Sequence, residues 1–299
     1  GYTLVYGILF MINFAHGEVM MIGTFGGYFV FEALNAIKIS RADGEATTFL
    51  NANPILGIFL TFAAGMLIAS LAGYFLEKIA YRPLRGAPRL VPLISAIGAS
   101  IFLQNAGQLL FGPQRRQYIN PVILERGIGW NLEVAGSKVV LTYTGVFSLI
   151  LSAILMITLY LIVQKTKLGR SMRAVAQDKK TAALMGVNVD QIISRTFVIS
   201  GALAGAAGVM WGIHNGLFNY YVGFLPGIKA FTAAVLGGIG NIPGAMVGGL
   251  FLGIIESLGP AVLGIDFQLK DVIAFSILIL VLIFRPSGIL GEALSEEKL

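Results

Sequence analysis

An all-α bundle of membrane-crossing helices is the fold class this sequence predicts, and three observations predict it. Of 299 residues, 56% are hydrophobic and only 12% charged, with a mean hydropathy of +0.82, whereas soluble domains carry about 25% charged residues. Charge-free apolar runs cover residues 54–76, 139–163, 196–228 and 230–255, each reaching the roughly 20 residues that a helix needs to cross hydrocarbon. The runs are continuous, whereas strands of a membrane barrel alternate with period two.

Taken in order, crossings are predicted at 2–12, 17–36, 54–77, 90–111, 139–163 and 193–213. A broken pair follows at 224–237 and 244–258, then a last crossing at 271–288, about eight in all. The chain opens inside an apolar segment without methionine, so a further N-terminal helix is expected to precede this numbering. The last charge-free core, 272–284, is short, and Arg285 completes it by snorkelling to the headgroups. The loop 38–53, with Asp43, Gly44 and Glu45, reads as external, and the polar tail 291–299 as frayed inside the cell. Residues 1–299 read as a single transmembrane domain without a soluble appendage. Trp211, Tyr220 and Tyr221 suit an interfacial aromatic belt, and Gln104 and Asn105 suit hydrogen bonds between helices.

The formal charge of +6 concerns topology. Eleven of the 21 Lys and Arg fall in two loops, 78–89 and 164–195, which two crossings place on the same side. The positive-inside rule makes that side, and with it the C-terminus, cytoplasmic, although 112–138 carries four basic residues of its own. Nucleic-acid binding is not implied. Without cysteine and with two histidines, no disulfide, thiolate site or zinc site is expected. No cofactor is expected, and no nucleophile–base set suggests an enzyme.

Two polar knots interrupt apolar sequence. In "INFAHGEVMMIG" these are Asn13, His16, Gly17 and Glu18; in "LGGIGNIPGAMVGG" they are Gly240, Asn241, Pro243 and Gly244. Irregular backbone at membrane depth is tolerated only where protein or water satisfies it, and paired broken helices point to a transporter's pathway. Asn13, His16, Glu18, Asn241 and Pro243 are therefore pathway candidates; the competing reading makes Asn13 and Asn241 helix caps. Glycines at small-residue spacing, as in "GALAGAAG" and "GAMVGGLFLG", read first as close packing within the chain, and second as sliding helices or a seam with another subunit. Glu256, near the end of an apolar helix, is either functional or turned to the external headgroups.

The stretches "GYTLVYGILFMINFAHGEVMMIG", "YRPLRGAPRLVPLISAIGASIFLQN", "LGRSMRAVAQDKKTAALMGVNVDQI" and "GIKAFTAAVLGGIGNIPGAMVGGLFLGIIESL" closely resemble the LivH-type permeases of bacterial high-affinity branched-chain amino acid ABC importers. The resemblance runs in order along nearly the whole chain. It implies an inner-membrane subunit that pairs with a LivM-type sister permease, two cytoplasmic ATPase subunits and a periplasmic solute-binding protein, and that carries an amino-acid solute. Urea and short-amide permeases look similar and remain an alternative; an ATP-independent secondary transporter or channel is disfavoured by sparse intramembrane carboxylates.

No GxxxxGK[ST] phosphate loop occurs, so ATP hydrolysis is expected in partner subunits. The loop 164–195 is the expected place of coupling to them. There, 173–184 is predicted as one short helix, with Gly186 ending it in a left-handed conformation. Arg173, Ala182, Ala183, Leu184, Met185 and Gly186 are the coupling candidates.

Overall fold

The computed structural model describes residues 1–40, 46–88, 90–134, 137–285 and 287–291. Asp43, Gly44, Glu45 and the tail beyond Gly291 lie outside the described residues. In chain order the elements begin with α1 (Tyr2–Leu9), α2 (His16–Ala36), the two-stranded β1 (Lys38–Ser40) and β2 (Ala46–Thr48), α3 (Phe49–Ala52), α4 (Pro54–Leu76) and α5 (Leu90–Phe111). Then come β3 (Arg116–Gln117), the hairpin β4 (Gly129–Val134) and β5 (Ser137–Thr142), α6 (Tyr143–Lys165), α7 (Lys167–Gln177), α8 (Lys179–Leu184) and α9 (Val189–Asn215). β6 (Leu217–Phe218), α10 (Phe224–Gly237), α11 (Ile242–Leu263) and α12 (Lys270–Phe284) complete the chain. Among the described residues seven helical stretches are long and apolar enough to cross a membrane, and α10 is a shorter apolar helix. The protein is a polytopic helical bundle, as the apolar runs predict.

Two boundaries need correction. The run 139–163 is not helical from its start: residues 139–142 belong to β5, paired across from Leu132 through Gly129. Valine pairs favour strands, and an apolar run says nothing of a partner ten residues upstream. The helix predicted over 244–258 begins at Ile242, continues through Pro260 and ends at Leu263, where Gly264 takes φ 65°.

The chain divides into two compact units. One comprises Phe14–Leu155 and Phe197–Phe224. Its helices α2, α4 and α9 approach through small residues. A Cβ added at Gly23 would stand 2.5 Å from Gly205 Cα, and one at Gly205 would stand 2.7 Å from the Gly65 carbonyl carbon. Because lipid supplies no hydrophobic force between helices, such backbone contact and its dispersion attraction hold them together. The glycines of "GALAGAAG" thus pack within the chain. Beside them lies an aromatic core in which Phe25 stacks on Phe111 at 4.2 Å and the buried Tyr118 donates to the Thr24 carbonyl at 2.8 Å. The Arg126 guanidinium ties the loop after α5 to the end of α9, donating to the carbonyls of Tyr118 (2.7 Å) and Ile213 (3.1 Å). At the other end of α4 a π-helical turn, Glu77–Tyr81, carries the wholly buried Glu77 carboxylate onto Arg85. Asn105 bonds back to the Ile101 carbonyl of its own helix, not to another helix as expected, because an exposed asparagine four residues on reaches that oxygen without a partner.

The other unit comprises Gly1–Asn13, Met156–Thr196 and the chain from Leu225 onward. In it α11 packs antiparallel on α12, α10 on α11 through Gly244 and Gly248, and α1 lies against α7 and α11. Gly253 faces open space.

The glycine contact makes a specific demand. Gly205→Val should lower the unfolding midpoint in detergent by the equivalent of about 1–3 kcal/mol or prevent accumulation, because backbone must move to admit the side chain. Gly253→Ala should leave the midpoint unchanged. Equal midpoints for both variants would show that the helices are not in backbone contact at Gly205.

Candidate functional site

The second polar knot is a true interruption, and the chain satisfies it from two directions. Where α10 stops, Gly238 and Gly240 adopt φ 105° and 96°, a region open to glycine at little cost. Asn241 then caps α11: its Oδ1 accepts from the Gly244 N–H at 3.0 Å, and its Nδ2 donates to the Leu290 carbonyl at 2.9 Å. Pro243, in the first turn, lacks an N–H where none would be bonded. The carbonyls left over at the end of α10 accept from the segment beyond α12, Leu236 from Ile289 N–H (2.8 Å) and Gly237 from Leu290 N–H (3.1 Å). Residues 287–291 thus form a strap that seals the break. A Cβ on Gly238 would stand 2.5 Å from Gly291 Cα, which explains adjacent glycines on both strands of the contact. Sequence reasoning missed the strap; "PSGILG" offers only its glycines as a signal. It had kept capping open for Asn241, and the cap is present.

A cavity of about 560 Å³ opens beside this break. Tyr6 of α1, Tyr160 of α6, Arg173 of α7 and the segment from Ile239 to Pro243 are among its walls. Asn241 and Pro243, expected in a pathway, therefore share one cavity with Arg173, expected in coupling. Asn13, His16 and Glu18 do not line it.

The first knot is equally real. α1 ends at Phe10, a non-glycine residue at φ 55° whose N–H bonds to Tyr6 O, and α2 begins at His16 with Ala15 at its N-cap and no side-chain cap. Asn13, two residues before the N-cap Ala15, is 3% exposed. Glu18, in the first turn of α2, is 1% exposed, and its Oε2 has no hydrogen-bond partner among the described residues. Gly223 packs onto the Gly17 carbonyl beside it.

Glu256 is ion-paired within the helical bundle. Lys229 of α10 reaches it at 3.0 Å and Asp271 of α12 at 2.6 Å, so one ammonium bridges three helices. Lys229 was visible in the sequence only as the single charge between two apolar runs.

The loop predicted to couple is two helices, not one. α7 turns off α6 sharply: Thr166 Oγ1 accepts from Gly169 N–H at 3.1 Å, Gly169 lies against the Ile162 and Val163 carbonyls, and Arg173 donates to the Val163 carbonyl. The predicted helix 173–184 breaks at Asp178, which is extended and caps α8 by accepting from Lys180 N–H at 2.8 Å and from the Thr181 hydroxyl. Aspartate competes for backbone donors in this way wherever it can reach them. Gly186 ends α8 with φ 84°, as expected, while its N–H bonds to Ala183 O and that of Val187 to Ala182 O. Asn188 then starts α9 by accepting from Gln191 N–H at 3.0 Å. Ala182 is turned inward and buried; Ala183 is exposed, Leu184 is 87% exposed and Met185 80%.

Comparison with known proteins yields consistent matches. The family described as "Branched-chain amino acid transport system / permease component" matches residues 1–282. The high-affinity branched-chain amino acid transport system permease protein BraD of Pseudomonas aeruginosa is 47% identical over 98% of this chain and 90% of its own length. The corresponding LivH of Escherichia coli (strain K12) is 44% identical over 98% and 89%. A probable LivH of Methanocaldococcus jannaschii is 28% identical over 97% and 86%. No solved structure matches.

The three-helix ion bridge should be costly to open on one side. Lys229→Met leaves two carboxylates facing each other and should destabilise by about 1–3 kcal/mol in detergent unfolding, whereas adding Glu256→Gln and Asp271→Asn should recover most of the loss. A single substitution without effect would mean that the bridge is idle.

The cap of α8 has a pH signature. Hydrogen bonds from the Thr181 hydroxyl and from the backbone N–H groups of Lys180 and Thr181 hold the Asp178 carboxyl below its ordinary value. Its contribution is complete above the unfolded-state value and is lost as pH falls through the lower folded one. Protection of α8 amides from hydrogen exchange should stay constant from about pH 8 to 5 and fall only in stronger acid; Asp178→Ala should remove it at every pH. Protection lost near neutrality would point to another group.

Proposed function

The chain belongs to the branched-chain amino acid transport permease family, and we propose that it is the membrane subunit of an ATP-driven importer carrying branched-chain amino acids across the bacterial inner membrane. Relatives sharing 47% and 44% identity over almost all of the chain, each named for that transport, support the solute class. The subunit works with a sister permease of the same class, a pair of cytoplasmic ATPase subunits and a periplasmic solute-binding protein. The basic loops 78–89 and 164–195 face the cytoplasm, as does the C-terminus. Residues 1–299 act as one membrane domain whose coupling loop is 164–195.

The observation that carries the coupling reading is the tip of α8. Leu184 and Met185 are 87% and 80% exposed on a helix outside the apolar spans, capped at both ends and flanked by charge. Large apolar side chains held rigidly toward water mark a docking site. A groove on an ATPase subunit receives Ala183, Leu184 and Met185; Ala182 anchors the helix from beneath, and Gly186 turns the chain back to α9. The solute passes near Asn13, His16, Glu18, Asn241 and Pro243. Glu18 supports this with a buried carboxylate oxygen, Oε2, that has no hydrogen-bond partner among the described residues.

Ala183→Asp should bring an unpaired charge into the closing contact, a loss of about 1–3 kcal/mol, and Gly186→Val should strain the left-handed exit. In cells bearing the whole importer, both variants should accumulate normally, while leucine uptake and solute-stimulated ATP hydrolysis fall together. Normal uptake at normal expression would make the loop a mere connector. Uptake of urea or acetamide in place of leucine would overturn the solute class alone.

A further inference from the structure

We propose that the cavity beside the α10–α11 break is a binding site for an oxyanion carried on an aliphatic body, with Arg173 as its cation. The cavity is within the range of about 300–1,000 Å³ typical of small-molecule sites. Among the described residues, Arg173 is the one charged side chain in its wall, and no carboxylate lines it. A guanidinium has five N–H donors in a planar fork. Here one nitrogen, Nη1, is engaged by the Val163 carbonyl at the end of α6, and no acidic side chain pairs with the rest among the described residues. That geometry leaves donors for a two-oxygen acceptor.

Three further features point to the same chemistry. The N-terminus of the 22-residue α11 meets the cavity at Ile242 and Pro243, and a helix start favours negative charge. The hydroxyls of Tyr6 and Tyr160, both in the wall, make no hydrogen bond among the described residues. Leu4, Ile8 and Val163 add aliphatic surface to the same wall. Asn241 adds rigidity rather than a free donor, because the Gly244 N–H and the Leu290 carbonyl already hold its amide.

A free branched-chain amino acid meets this description, as does the phosphate of an anionic lipid. Naming the amino acid rests on the function proposed above; the oxyanion site does not.

The test is direct binding of L-leucine, 4-methylpentanoate and leucinamide to the purified importer complex without its binding protein, in discs of neutral phosphatidylcholine, by titration calorimetry. Leucine and 4-methylpentanoate should bind saturably, and leucinamide, lacking the carboxylate, should not. Arg173→Gln should weaken both at least tenfold, Arg173→Lys should retain much of the affinity, and Ala176→Phe, which fills the cavity without touching the charge, should abolish binding. Native size-exclusion profiles establish that the variants are folded. In discs containing phosphatidylglycerol, Arg173-dependent lipid retention that displaces the carboxylates would identify the lipid headgroup as the source of the oxyanion. Equal binding by wild type, Arg173→Gln and Ala176→Phe, or no Arg173-dependent binding of either carboxylate or lipid, would overturn the site. Leucine uptake by cells separates the two proposals. Uptake without Arg173-dependent binding removes the site alone, and binding of 4-methylpentanoate without leucine uptake removes the solute assignment alone.

Discussion

A backbone in hydrocarbon has no water to complete its hydrogen bonds, and each group left open costs several kcal/mol. That constraint governs where this chain can stop being a helix. Between α10 and α11 it stops for four residues, and the leftover carbonyls of Leu236 and Gly237 are met by N–H groups more than fifty residues later, from the strap at Ile289 and Leu290. Asn241 closes the remaining gap with both ends of its amide. The short length of α12, ending at Phe284, follows from the same need: the chain must leave the helix early enough to turn back to the break.

Glycine serves that arrangement in two distinct ways. At Gly238 the requirement is conformational, a left-handed φ directly against another backbone. Along α2, α4 and α9 the requirement is spatial, ordinary helix with no room for a Cβ. Composition shows both as the same excess of 38 glycines. Only coordinates separate a residue that turns the chain from one that lets two helices touch.

This explains what could be read beforehand. The crossings are legible because hydrophobic length is a local property, and both interruptions are legible because Asn, Pro and Gly are conspicuous among apolar neighbours. The left-handed Gly186 follows from a local rule, and so does the cap at Asn241. Partners that no local pattern links leave no such trace: Lys229 with Glu256 and Asp271, Glu77 with Arg85, the strap on the break, β5 on β4. Asp178 is a different failure. The residues around it favour helix, and the side chain's own affinity for the next N–H groups divides that helix in two.

Within the unit that holds α1, α7, α10 and α11, one side chain connects features that sequence kept apart. Arg173, on α7, donates to the Val163 carbonyl near the end of α6 and lines the cavity that the sealed break also lines. α7 is joined to α8 by the single extended residue Asp178, so a force on the exposed tip at Leu184 and Met185 is transmitted through a short, doubly capped connection. Any displacement of α7 relative to α6 must either carry the guanidinium along or exchange its bond to Val163. The wall formed by Ile239 to Pro243 cannot follow freely, since Asn241 is pinned to both α11 and the strap. The pinned break and α7, whose guanidinium holds the end of α6, thus wall the same space.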